Sequence, residues 1–197
     1  MPARLVSIIG PPAAGKTTLA EGLAARLPAR LVREDYAGNP FLEGSYLDRR
    51  DLALAAQLYF LYSRLGQLKR ANWPAEGWVV SDYAFCQDGI YAATNLVGDD
   101  LAAYRRLAGP IGAMVRPPDV LIALAAPAAV LLERIARRGR RHERAFTAEF
   151  LDGMSRAYQE AVAAAACPVI AVDVAAVDLR RAEQQARLAA AVRDALP

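Results

Sequence analysis

The chain has 197 residues, 55% of them hydrophobic and 23% charged, a balance that allows a sizeable buried core and excludes an intrinsically disordered chain. No apolar run approaches the roughly 18 to 20 residues of a membrane helix, and the opening MPARLVSIIGPP lacks the pattern of a secretion signal, so a cytoplasmic protein of one domain over residues 1–197 is expected. The net charge is only +3, yet six arginines lie between Arg134 and Arg144 against the single acid Glu143, a compact cluster that suits a polyphosphate held at one point better than a nucleic acid lying along a face.

In chain order, the first predicted strand runs from Leu5 to Ile9 and the first helix covers 16–27. Between them Gly10, Pro11, Pro12, Ala13, Ala14, Gly15, Lys16 and Thr17 fit the pattern G-x-x-x-x-G-K-[ST]. Glycines let the backbone wrap so that successive N–H groups face phosphate oxygens, and the helix N-terminus adds partial positive charge. Lys16 supplies a compact cation in a chain that otherwise has 22 arginines and one further lysine, Lys69. The Thr17 hydroxyl suits Mg²⁺, and Thr18 follows at the start of the same helix. A bare Gly/Pro turn before a helix is the simpler alternative, but strand, loop, lysine, threonine and helix all stand in register.

The second strand, Arg30 to Arg33, leads into Glu34 and then Asn39-Pro40-Phe41-Leu42, Tyr46 and a long predicted helix over 47–70. A carboxylate at the C-terminal end of a parallel strand lies where substrates bind in such sheets, so Glu34 is a candidate base for a hydroxyl; a helix cap or a solvated charge is the alternative. Gln57 and Arg64, seven residues apart, share one face of the long helix, either lining a pocket or simply solvated. The third strand, Trp78 to Ser81, ends at Asp82, a candidate Mg²⁺ carboxylate opposite the loop. Asp88, six residues on, is open between a substrate contact and a loop or cap role.

A helix over 98–108, a strand from Val120 to Leu124 and a helix over 128–138 come next. Arg134 and Arg138 fall on one face of the last, and Gly139 breaks it, placing Arg140, Arg141 and Arg144 in an expected mobile lid at about 134–144. Helix 146–166, strand Val169 to Val172 and helix 178–195 complete the chain. Apolar strands alternating with helices, with no hairpin turn between neighbours, argue an α/β fold, a five-stranded parallel sheet flanked by helices. Cys86, Cys167 and the single His142 have no metal-ligand spacing, so no disulfide framework or zinc site is expected.

These pieces in this order resemble the deoxynucleoside kinase family, P-loop enzymes of a three-layer sandwich fold. The likeness spans about residues 4 to 173, through Gly10 to Thr17, the segment from Glu34 to Tyr46 with NPFL, QLYFLYSR, SDYAFCQD, PPDVLIAL and ERIARRGRRHE. It implies ATP and Mg²⁺ as cofactors and transfer of phosphate to the 5′-hydroxyl of a deoxynucleoside. It further implies Glu34 as the base, Tyr46 and Glu143 on the 3′-hydroxyl, and Gln57, Asp88, Arg64 and Tyr91 around the base moiety. Arg134, Arg138 and Arg140 become lid arginines, and the chain a homodimer built through helices beside the nucleoside site. One departure stands out: many members have an arginine after the acid that ends the third strand, and this chain has Tyr83, so either the lid arginines compensate or the site is tuned differently.

Two other readings are open. A P-loop kinase of another small metabolite would hold an anionic acceptor with more arginines than Gln57, Tyr46, Asp88 and Glu143 offer. A nucleotide-dependent switch of the GTPase kind would need an Asn/Thr-Lys-x-Asp guanine-reading element, which is absent. Which base is preferred is left open, because glutamine and aspartate suit several.

Overall fold

The computed structural model describes residues 2–196. Five strands, β1 (Arg4–Ile9), β2 (Ala29–Val32), β3 (Trp78–Ser81), β4 (Val120–Ala125) and β5 (Val169–Asp173), pair in parallel in the order β2-β3-β1-β4-β5. Leu5 to Ile9 of the central strand β1 are all buried, as a strand covered by helices on both faces requires. The flanking helices are α1 (Lys16–Arg26), α2 (Leu42–Leu47), α3 (Ala53–Leu68), α4 (Cys86–Asn95), α5 (Gly98–Met114), α6 (Ala128–Arg138), α7 (Ala148–Ala163) and α8 (Ala182–Asp194).

The largest core cluster joins Val6 and Ile8 of β1 to Leu19 and Leu23 of α1, Ile122 of β4 and Leu131 of α6. Each such fully buried aliphatic side chain contributes about 2 kcal/mol, so the strand that carries the phosphate loop is firmly anchored in the core. Because all strands are parallel, the segments after β1, β2, β3 and β5 leave the same edge of the sheet.

Three helices depart from the predicted spans. The span 47–70 begins at the last residue of α2, breaks, and resumes as a short 3₁₀ turn at Arg50–Leu52 followed by α3, because Arg49 adopts a non-helical φ of −116° and ψ of 67° within the polar run Asp48 to Asp51. Helix α4 occupies a stretch for which no helix is expected: its buried positions include Gln87 and Asp88, and a polar inward face leaves no apolar stripe to read. Helix α5 continues beyond residue 108, through Pro110, to Met114; the proline deprives only the Arg106 carbonyl of its helical donor. The segment expected as a lid carries local secondary structure. Gly139, at φ +73°, ends α6, and Arg141–Ala145 form a 3₁₀ turn.

Candidate active site

The loop after β1 wraps because its backbone takes conformations that side chains resist. Gly10 has φ +147°, and a Cβ there would stand 2.5 Å from the Leu124 carbonyl oxygen; Gly15 has φ +99°. The Lys16 ammonium lies across the loop, donating to the carbonyls of Gly10 (2.7 Å) and Pro11 (3.1 Å). Burial lowers its pKa to about 8, against the opposing pull of Glu34 and Asp82. Thr17 Oγ1 donates to Asp82 Oδ2 at 2.6 Å, and Asp82 Oδ1 accepts from the Glu34 backbone N–H at 2.8 Å. Thr17 and Asp82 thus offer two hard oxygens side by side at the loop, a donor set that fits a Mg²⁺ ion keeping phosphate and water oxygens as its other ligands. Among the described residues there is no group of three or more His, Cys, Asp or Glu able to hold a metal without such help.

Beside the loop opens a cavity of about 150 Å³, lined by Lys16, Thr17, Glu34, Tyr46, Gln57, Arg64, Asp82, Tyr91, Arg138, Arg140 and Glu143 among others. Gln57 and Arg64 are therefore pocket residues, 3% and 2% exposed, and not a solvated helix face. The Arg64 guanidinium joins Glu34 to Asp88 and lies 5.0 Å from the Phe60 ring centroid. Burial opposes its charge, but the two carboxylates outweigh that cost and hold it firmly protonated. Asp88 is fully buried and does not line the cavity. It sits behind, taking hydrogen bonds from Gln57 Nε2 (3.1 Å) and the Tyr104 hydroxyl (2.5 Å) as well as from Arg64, so any influence on a ligand passes through Arg64 and Gln57. Burial raises its carboxyl above the usual range.

Across the cavity, the Tyr46 hydroxyl accepts from Asn95 Nδ2 at 2.9 Å, and burial pushes its pKa up to about 12, so it stays protonated. The Tyr46 ring packs edge-on against Phe146, with centroids 5.4 Å apart. Glu143, 4% exposed, is gripped by Arg138 through both oxygens and is approached by Arg140 at 3.5 Å. Arg140 also stacks over the Tyr36 ring at 3.9 Å, and Arg141 pairs with Glu43 at 2.8 Å. The arginine-rich turn is thereby clasped to the segment between β2 and α3.

A second cavity of about 660 Å³ lies on the other side of the loop, sharing Ala13, Gly15, Thr18 and Arg138 with the first and walled by residues 174–181. Arg134 belongs here: it donates to the carbonyls of Val174 (2.7 Å) and Ala14 (3.5 Å) and stands outside the first cavity. Gly10, Pro11 and Ala14 line neither of these two cavities and instead present carbonyls to Lys16 and Arg134, whereas Pro12 and Thr17 face the first cavity. Sequence reasoning missed the 174–181 wall, together with Tyr36, Ser45, His142 and Phe146. Tyr36, Ser45 and His142 lie inside segments that carry the resemblance, but nothing in the sequence gives them a role, and only convergence in the fold marks these residues. Asn95, which also lines the first cavity, was given no role either.

The chain is similar in sequence and in fold to known proteins. The family profile described as deoxynucleoside kinase matches residues 6–196. A deoxyadenosine kinase of Dictyostelium discoideum is 32% identical over 160 residues, which cover 79% of this chain and 65% of that protein. A deoxyadenosine/deoxycytidine kinase of Bacillus subtilis (strain 168) is 30% identical over 184 residues, 89% of this chain and 84% of that one. Among solved structures, a deoxyadenosine kinase from M. mycoides with dATP bound superposes with a TM-score of 0.79 at 23% identity, covering 96% of this chain and 99% of that chain, a likeness of fold.

Proposed function

The chain belongs to the deoxynucleoside kinase family, and from that premise we propose that it carries the γ-phosphate of ATP to the 5′-hydroxyl of a deoxynucleoside, within one domain and in the cytoplasm. The observation that carries this reading is the meeting of Glu34, Lys16 and Arg138 around one cavity beside the phosphate loop. The deoxynucleoside occupies the first cavity, its 5′-hydroxyl toward Glu34, which takes the proton as the oxygen attacks. Gln57, Arg64 and Tyr91 surround the base, and Tyr46 with Glu143 holds the 3′-hydroxyl.

The donor's triphosphate lies in the loop, with its nucleoside portion in the second cavity along residues 174–181. Mg²⁺ held by Thr17 and Asp82 would neutralise phosphate charge. Lys16, Arg138 and Arg140 supply the protein's share of that stabilisation, and Arg134 acts from behind by fixing the loop to the 174–181 wall. In the structure Arg138 is engaged with Glu143; a bound triphosphate competes for the guanidinium and frees Glu143 for the sugar. A homodimer through α3 and α5 is supported by their large apolar side chains in solvent, Tyr62 at 77%, Leu107 at 50% and Met114 at 54% exposed.

The test is phosphorylation of the four deoxynucleosides with ATP and Mg²⁺. Glu34→Gln is expected to lower turnover by about 10²-fold or more while leaving deoxynucleoside affinity nearly intact. Unchanged turnover removes Glu34 as the base, and ATP consumption indifferent to any nucleoside favours the switch reading.

A further inference from the structure

The two carboxylate oxygens of Glu34 sit in different settings. Oε1 accepts from the Arg64 guanidinium and from Gln87 Nε2 at 2.9 Å, whereas Oε2 takes no hydrogen bond from the described residues and belongs to a side chain that lines the first cavity. Other nearby groups are engaged elsewhere. Lys16 is committed to the carbonyls of Gly10 and Pro11, and the Tyr83 hydroxyl donates to Gln67 Oε1 at 2.5 Å.

Gln87, on the first turn of α4, is 1% exposed, and its own Oε1 is buried without a hydrogen-bond partner among the described residues. A buried amide with an unmade bond weakens a fold. What this side chain contributes in return is its single bond to Glu34, which concerns the reacting carboxylate and not the core.

We propose that Gln87 is a positioning residue for the reaction: with Arg64 it pins Oε1 of Glu34 and so turns Oε2 toward the acceptor hydroxyl. Arg64 is divided between Glu34 and Asp88, so it alone leaves the carboxylate free to rotate about one contact. The second donor fixes its plane. A neutral amide does this at a smaller loss of basicity than a second cation would impose, because donors that stabilise the anion weaken it as a base, and charged donors do so most.

The inference rests on Glu34 as the base. Gln87→Met keeps the volume and removes the donor. It is expected to lower kcat roughly tenfold, a cost typical of a slightly misplaced reacting group, with deoxynucleoside KM changed less than about twofold and no fall in melting temperature. Placed on Glu34→Gln, the same change should add nothing further. Gln87→Glu sets a carboxylate against Glu34 at about pH 8 and, once protonated near about pH 6, donates again, so its kcat relative to the unaltered enzyme should rise as pH falls. That ratio decides the matter even if the methionine variant fails to fold.

A kcat for Gln87→Met within about twofold of the unaltered enzyme, a loss confined to KM, independent effects in the double variant, or a Gln87→Glu ratio flat with pH would overturn the proposal. Full turnover in Glu34→Gln would instead overturn the base assignment itself, so the two failures are told apart.

Discussion

Lys16 holds its proton loosely in the phosphate-free site, because burial brings its pKa down to about 8 from 10.5. A bound triphosphate reverses that penalty by supplying the anion that burial withholds, so the pKa climbs back toward the ordinary lysine value. At about pH 9 most of the free protein lacks this proton and the complex has it. Nucleotide binding should therefore take up close to one proton there and almost none near about pH 7, and affinity should fall as pH rises above about 8. Calorimetry in two buffers of different ionisation heat reads this directly; uptake independent of pH would show that Lys16 does not meet the phosphates. The loop that carries Lys16 was legible in sequence because its chemistry is a spacing. The bonds around Glu34 were not, since Arg64 and Gln87 stand 30 and 53 positions further along the chain.

Between elements, the segment from α6 through the 3₁₀ turn at Arg141–Ala145 bridges both cavities. Arg138 faces both, and its guanidinium is committed to Glu143 until something more strongly charged arrives. Arg138→Ala should lower kcat by about 10²-fold, the cost of losing one preorganised donor to developing charge, and raise the KM for ATP more than that for the deoxynucleoside. Rates indifferent to the change in a steady-state assay would refute the lid assignment. Elements with an apolar stripe or a run of β-branched residues were readable in advance, among them β1, β4 and α6. Helix α4 was not, because Gln87 and Asp88 turn inward to serve Glu34 and Arg64; a helix built to position polar groups hides from hydrophobic periodicity.

Across the fold, the parallel sheet gathers the segments after β1, β2, β3 and β5 at one edge, so the phosphate loop, Glu34, Asp82 and the 174–181 wall converge. No helix among the described residues is long and apolar enough to cross a membrane. Helix α5 buries only Tyr104 fully along its 17 residues, and this uncovered length beside α3 is where a second copy would pack. Tyr62→Glu with Leu107→Glu should convert a dimer into a 21.2 kDa monomer in sedimentation equilibrium without altering the secondary structure; an unaltered dimer would move the contact elsewhere.

The phosphate loop, the five-stranded α/β class, the family resemblance and the arginine cluster could all be read before any coordinates, because each is written in local spacing, periodicity or composition along the chain. Folding was needed to show that Asp88 stands behind Arg64 and away from the cavity, that Arg134 braces the second cavity, and that Gln87 reaches Glu34. Those facts depend on how α3, α4 and the ends of the strands pack against one another. Which buried polar groups meet there is set by the shared volume of the core and by the need to partner each buried charge, conditions that no single stretch of chain records.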